Sequence, residues 1–120
     1  MKKMLATLAL APALAAPSLA DQPVAIQFAA EIGGKPFSCT DTYTGLGSTA
    51  ASVKGIDYRL FVSAAALVRA DGSLQPIKLE QDGKWQLDDL ALLDFEDATG
   101  GCKGTGNPDL NTTLRGRVPD

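Results

Sequence analysis

The residues that could do chemistry concentrate between Trp85 and Cys102. This stretch holds the only tryptophan, one of the two cysteines, and the carboxylates Asp88, Asp89, Asp94, Glu96 and Asp97. Hard oxygen ligands beside a glycine-rich loop suit calcium, which makes Asp94, Glu96 and Asp97 candidate metal ligands. Their spacing does not match an EF-hand loop, and a solvated acidic loop is the simpler reading. Paired carboxylates also raise glycoside hydrolysis, but nothing in the sequence sets two of them at a cleft. The chain has no histidine. A serine or cysteine triad with a histidine base is therefore excluded, as is a histidine-ligated zinc or copper site within this chain. No catalytic residue is assigned, and the expectation is a protein that is not an enzyme. Trp85 stands at the head of a strand and reads as a core or sheet-face anchor. A tryptophan placed for oxidation or ligand stacking is the alternative.

These groups must be positioned by short strands. Val24, Ile26 and Phe28 alternate with Ala25, Gln27 and Ala29, a period of two that predicts a strand with one buried face. Gly33-Gly34 predicts a hairpin. Thr40 to Ser52 is rich in Thr, Ser and Gly and reads as a loop. Its Gly45-Leu46-Gly47 is only an echo of a phosphate loop, with no Lys-Ser/Thr after it. Ile56, Tyr58, Leu60 and Val62 alternate with polar positions and Phe61, and run into the apolar Ala64 to Val68. Asp71-Gly72 and Asp82-Gly83 predict two tight hairpins. Between them Leu74 to Leu79 reads as one short strand, its Pro76 pointing to an edge. Leu90 to Phe95 fits helix and strand spacing alike. Asp94 to Asn111 is glycine-rich and irregular, and Leu114 to Val118 has room for a last strand. Short strands at hairpin spacing with no long amphipathic helix predict an all-β fold, an antiparallel sandwich or sheet.

The N-terminus predicts export. Lys2 and Lys3 precede an apolar run from Met4 to Ala16, and Ser18-Leu19-Ala20 offers small residues for cleavage, so residues 1–20 read as a secretory signal peptide. The run is too short to span a bilayer and is broken by Pro12 and Pro17, so no membrane association is expected after cleavage. Localisation is expected to be periplasmic or secreted. Residues 21–120 then form one small domain with little stability to spare. The chain is acidic, with 14 Asp and Glu against 11 Lys and Arg; with no basic stripe, nucleic acid is not an expected partner. Two cysteines in an exported chain most simply form one disulfide, Cys39–Cys102. Closing a loop of roughly 60 residues is worth up to about 4 kcal/mol. Asn111-Thr112-Thr113 fits a glycosylation sequon, read as chance because the signal is bacterial in style.

Read in order, a set of short segments resembles one family. The segments are Val24-Ala25-Ile26-Gln27-Phe28, Phe37-Ser38-Cys39 and Ile56-Asp57-Tyr58-Arg59-Leu60-Phe61-Val62-Ser63, then Asp82-Gly83-Lys84-Trp85-Gln86, Leu92-Leu93-Asp94-Phe95-Glu96, Gly101-Cys102 and Gly116-Arg117-Val118-Pro119. The chain resembles the MbnP-like family, the copper-associated periplasmic proteins described as the four-Cys partner of a metallo-mystery pair. The resemblance implies an exported β-rich protein paired with a di-haem peroxidase-like partner that oxidises a tryptophan, and it implies copper as the family's metal. It also carries departures. Members of the family are about twice this long, with four cysteines and a C-terminal half that contains histidine and tryptophan. This chain matches the N-terminal half, possesses two cysteines and lacks every histidine. The expectation is an MbnP-like β domain over residues 21–120, an incomplete half of a larger β domain, with no cofactor of its own. The oxidised tryptophan is left unassigned, with Trp85 a weak candidate. Two other readings stay open: an interaction module pairing with a C-terminal half or with another copy of itself, and an acidic calcium-binding module.

Overall fold

The computed structural model describes residues 20–119; the signal-peptide reading falls on residues of which all but Ala20 lie outside that range. Over the described residues the chain is all-β, built from several small antiparallel sheets that form no closed barrel. Its strands are β1 (Gln22–Gln27), β2 (Glu31–Ile32), β3 (Lys35–Pro36), β4 (Thr42–Leu46), β5 (Ala51–Lys54) and β6 (Arg59–Ser63), then β7 (Ala66–Val68), β8 (Leu74–Pro76), β9 (Lys78–Leu79), β10 (Gln86–Leu87), β11 (Leu90–Asp94) and β12 (Thr113–Val118). A 3-10 turn covers Gly100–Cys102.

Two three-stranded sheets carry the architecture, in the orders β1-β12-β9 and β10-β11-β6. In the first, the N-terminal strand lies along the C-terminal one, Gln22 opposite Val118 and Gln27 opposite Thr113. In the second, β11 is central, with Leu93 opposite Leu60 and Ala91 opposite Val62 on β6. Leu114 and Val118 from β12, Leu79 from β9, Ile77 and Ala91 form the buried core, and Val24, Ile26, Phe28, Val62 and Ala65 pack against it. The alternation predicted for Val24, Ile26 and Phe28 is thus the one that faces the core. Gly116 stands midway along β12 because nothing larger fits. A Cβ there would lie 2.5 Å from Ile77 Cγ2 and 2.6 Å from the Lys78 carbonyl oxygen.

The remaining strands form three hairpins, β2-β3, β4-β5 and β7-β8. Gly33 and Gly34 supply the positive φ of the first turn and Gly72 that of the third, as their positions predicted. Three expectations are corrected. The segment read as a loop from Thr40 to Ser52 contains β4 and the first half of β5, paired with a register shift between Tyr43 and Leu46. Tyr43 is what organises it. Its ring is buried, its hydroxyl donates to the Pro36 carbonyl at 2.7 Å, and the same oxygen accepts the Ser38 N–H at 2.7 Å. Leu74 to Leu79 is two strands, because Pro76 ends β8 and β9 joins another sheet. Asp82-Gly83 is a turn between sheets rather than a hairpin: β9 pairs with β12 and β10 with β11. The ambiguous Leu90 to Phe95 is strand through Asp94.

Candidate functional site

Cys39 and Cys102 are bonded to each other, with their α-carbons 5.5 Å apart. Both side chains are buried. The bridge joins the loop before β4 to the 3-10 turn, and the Gly101 N–H donates to the Cys39 carbonyl at 2.7 Å alongside it. Gly100 passes so close that a Cβ would sit 2.3 Å from that same carbonyl oxygen. Near this junction Tyr58 lies between Phe37 and Phe95, with ring centroids 5.0 and 5.4 Å away. The disulfide therefore closes the glycine-rich loop onto an aromatic cluster, leaving no thiol for metal or redox chemistry.

The three calcium candidates are used separately. Asp94 is buried at the end of β11, where its Oδ1 accepts the Glu96 N–H at 3.1 Å. Its backbone is bridged to Asn111 by bonds of 2.8 and 2.9 Å. Asp97 is exposed and accepts from the N–H and hydroxyl of Thr99, which hold its carboxyl below the usual carboxylate range. Glu96 is fully buried, with 0% of its surface exposed. Its Oε1 lies 3.4 Å from Arg59 Nε, and neither carboxylate oxygen has a hydrogen-bond partner among the described residues. Arg59 divides itself: it also grips Asp57 through two bonds of 2.9 and 2.6 Å, which depress the Asp57 carboxyl. Among the described residues no three His, Cys, Asp or Glu side chains are grouped as a metal site requires. Asp88 and Asp89 sit in the β10-β11 turn, with the Asp88 N–H bonded to Gln81 Oε1 at 2.7 Å.

Trp85 is a sheet-face residue. It immediately precedes β10, half-buried, and its ring carries the Lys84 ammonium 4.7 Å from the centroid. Asp82 fixes its approach. A single carboxylate oxygen, Oδ1, accepts the N–H groups of Lys84, Trp85 and Gln86 at 2.9, 2.7 and 2.9 Å. Desolvation acts to raise the Asp82 pKa, but these three backbone bonds, with Arg115 nearby, outweigh it and leave the carboxyl below its ordinary value. The turn thus delivers Trp85 to one face of the sheet and Gln86 to the other. Trp85, Leu87, Leu90, Leu92 and Phe61 line a surface pocket of about 250 Å³. A second hollow, with Asp57, Tyr58 and Arg59 on its wall, shares Phe61 and Leu92 with the first. The outer face of β10-β11-β6 is therefore one apolar groove ending in an ion-paired cluster.

Two residues assigned no structural role from sequence hold this face in place. Gln86 is buried on the inner side. Its Nε2 donates to the carbonyls of Glu80 and Arg115 at 2.7 and 2.8 Å, and its Oε1 accepts the Arg115 N–H at 2.8 Å. One amide thereby ties the β10-β11-β6 sheet to β12. Asn111, buried too, donates from Nδ2 to the Leu92 carbonyl at 2.7 Å. That engagement leaves the sequon asparagine no exposed amide to carry a glycan. Gln86 gives only a faint signal in the sequence, a polar residue between Trp85 and Leu87, and Asn111 stands out only through its sequon.

The comparisons with known proteins agree with this geometry. The MbnP family model matches residues 21–119. No curated protein matches the chain. Among solved structures, MbnP from Methylosinus trichosporium is similar, with a TM-score of 0.69 and 43% identity over 84% of this chain. The match takes in 35% of that protein, so the chain spans about a third of the length of its structural relative. With the sequence match running through nearly all the described residues and the fold superimposing on a solved member, the chain belongs to the MbnP family.

Proposed function

We propose that this chain is an exported, non-catalytic β module of periplasmic copper handling, working with a di-haem peroxidase-like partner, and that it supplies scaffold rather than copper ligands. The observation that carries the reading is family membership across residues 21–119 in a chain without histidine. Export is supported by the signal-like N-terminus, with its two lysines, apolar run and small residues before Asp21. No helix among the described residues is long and apolar enough to cross a membrane.

The donor set of this chain does not fit a copper ion. Copper sites draw on imidazole, thiolate and thioether. Here there is no histidine, both cysteines are spent in the disulfide, and both methionines fall within the first four residues. Among the described residues the carboxylates do not group. Copper chemistry in such a system is thus assigned to other polypeptide. Titration of the disulfide-intact mature chain with Cu(I) and Cu(II) tests this, with binding no tighter than that of a protein surface expected. Tight one-to-one binding would sink it. The link to copper handling is tested separately by following periplasmic abundance of the protein in its host across copper-depleted and copper-replete media. An abundance indifferent to copper counts against that link.

The interaction-module reading has a specific observation in its favour, the exposed apolar groove beside Trp85. The calcium reading lacks such an observation: among the described residues Asp94, Glu96 and Asp97 do not group as a metal site requires.

A further inference from the structure

Strand β11 reads Leu90-Ala91-Leu92-Leu93 before its terminal Asp94, and β6 places Leu60-Phe61-Val62 at its centre. Near-continuous apolar runs of this kind belong to strands covered on both faces, whereas a strand with one wet face alternates. Here only one face is covered. Ala91 and Leu93 are fully buried on the inner side, while Phe61 and Leu87 on the outer side are 65% and 67% exposed. Both cations flanking the outer face are paired within the chain, Arg59 with Asp57 and Glu96 and Lys84 with Asp109. An apolar cover over the leucines and Phe61 would therefore bury neither cation without a partner, the costly event at such a surface. The matched segment makes up 35% of the solved relative's chain, so a large body of further polypeptide is available there to cover it.

We propose that the outer face of the β10-β11-β6 sheet is a docking surface for the rest of an MbnP-type polypeptide, which lays an apolar face over Phe61, Leu87, Leu90 and Leu92. The inference rests on family membership and is independent of copper. It makes Trp85 a residue at the junction between this module and its cover, and the Arg59–Glu96 pair the polar end of that junction. Packing a second layer at the usual separation of roughly 10 Å would seal the groove from water.

The probe is the portion of the Methylosinus trichosporium MbnP outside the matched segment, fused to residues 21–120 in the order in which that relative carries it. The fusion is expected to melt in one transition, at a temperature above that of residues 21–120 alone. The double substitution Phe61→Ser with Leu87→Ser is expected to remove this gain while leaving the melting of the separate chain unchanged, because both side chains are exposed there. Isothermal titration of residues 21–120 with the same portion as a separate chain should give one-to-one binding, weakened at least about tenfold by the double substitution and unaltered by Lys78→Ala on β9. A fusion no more stable than the separate chain overturns the proposal, as does a gain that survives the double substitution. A homodimer of residues 21–120 that the same substitution dissolves also overturns it, by making a second copy the occupant. Neither readout involves copper, so failure here is distinct from failure of the copper-handling reading.

Discussion

Replacing Gln86 with leucine isolates the bond between the two main sheets. Leucine closely matches glutamine in size, so the change deletes hydrogen bonds without opening a cavity. Gln86 is 3% exposed and makes three bonds, of 2.7, 2.8 and 2.8 Å. Not all the partners are orphaned. The Arg115 carbonyl keeps the Glu80 N–H at 3.0 Å. The Arg115 N–H and the Glu80 carbonyl lose their amide partner. Each unsatisfied buried backbone group costs about 1–3 kcal/mol, and the better transfer of leucine into the interior returns part of this. Gln86→Leu should therefore destabilise by about 2–4 kcal/mol, a large share of the roughly 5–15 kcal/mol typical of a domain. Gln86→Glu should cost more, because it removes the Nε2 donor and sets a carboxylate against two carbonyl oxygens. The assay is equilibrium denaturation of the disulfide-intact chain, followed by circular dichroism so that Trp85 fluorescence remains an independent probe. A Gln86→Leu variant within about 0.5 kcal/mol of the parent, the range of an ordinary surface change, would refute the argument that this amide joins the sheets.

Asp82→Asn should cost about 1 kcal/mol at neutral pH, since the neutral amide is a weaker acceptor for three N–H groups at an exposed site. The folded Asp82 pKa is depressed, so its contribution is complete above the unfolded value near 3.9 and disappears as pH falls through the folded value. The stability gap between parent and variant should thus be constant from about pH 7 to 5 and close in stronger acid; a gap that widens on acidification would refute this. Gly116→Ala should lose about 1–3 kcal/mol or more, because its Cβ would fall 2.5 Å from Ile77 Cγ2 and 2.6 Å from the Lys78 oxygen in the middle of β12. A neutral result by thermal denaturation would mean that β9 gives way freely. The pair Cys39→Ser with Cys102→Ser should lose up to about 4 kcal/mol by releasing a long loop in the unfolded chain. Mass measurement of the parent after alkylation, with and without reduction, should show both thiols protected.

The local features were legible wherever the nearest neighbours in sequence decide them. Val24, Ile26 and Phe28 face the core as their alternation implies. Gly33-Gly34 and Asp71-Gly72 turn where positive φ is needed. The β4-β5 hairpin was hidden because its Thr, Ser and Gly residues carry little strand signal, while the anchor, Tyr43, acts through partners at Pro36 and Ser38. Trp85 was read as a core or sheet-face anchor, and its position is the sheet face, directed by an Asp82 carboxylate that looked like an ordinary turn residue. The candidate calcium ligands are neighbours in sequence, yet each bends to a different partner.

By itself the sequence determined that this chain would be β-rich, built of short strands, closed by its only two cysteines, and unable to form a histidine site. Those properties follow from residue types and from alternation along the chain. Tertiary structure alone decided that β1 lies on β12, that Leu74 to Leu79 divides between two sheets, and that one glutamine amide joins the β10-β11-β6 sheet to β12. It also left Phe61 and Leu87 facing outward on strands composed for two covered faces. Pairing and covering are set by residues remote in sequence, which compete for the same backbone groups and apolar surface, and no local pattern records which of them prevails.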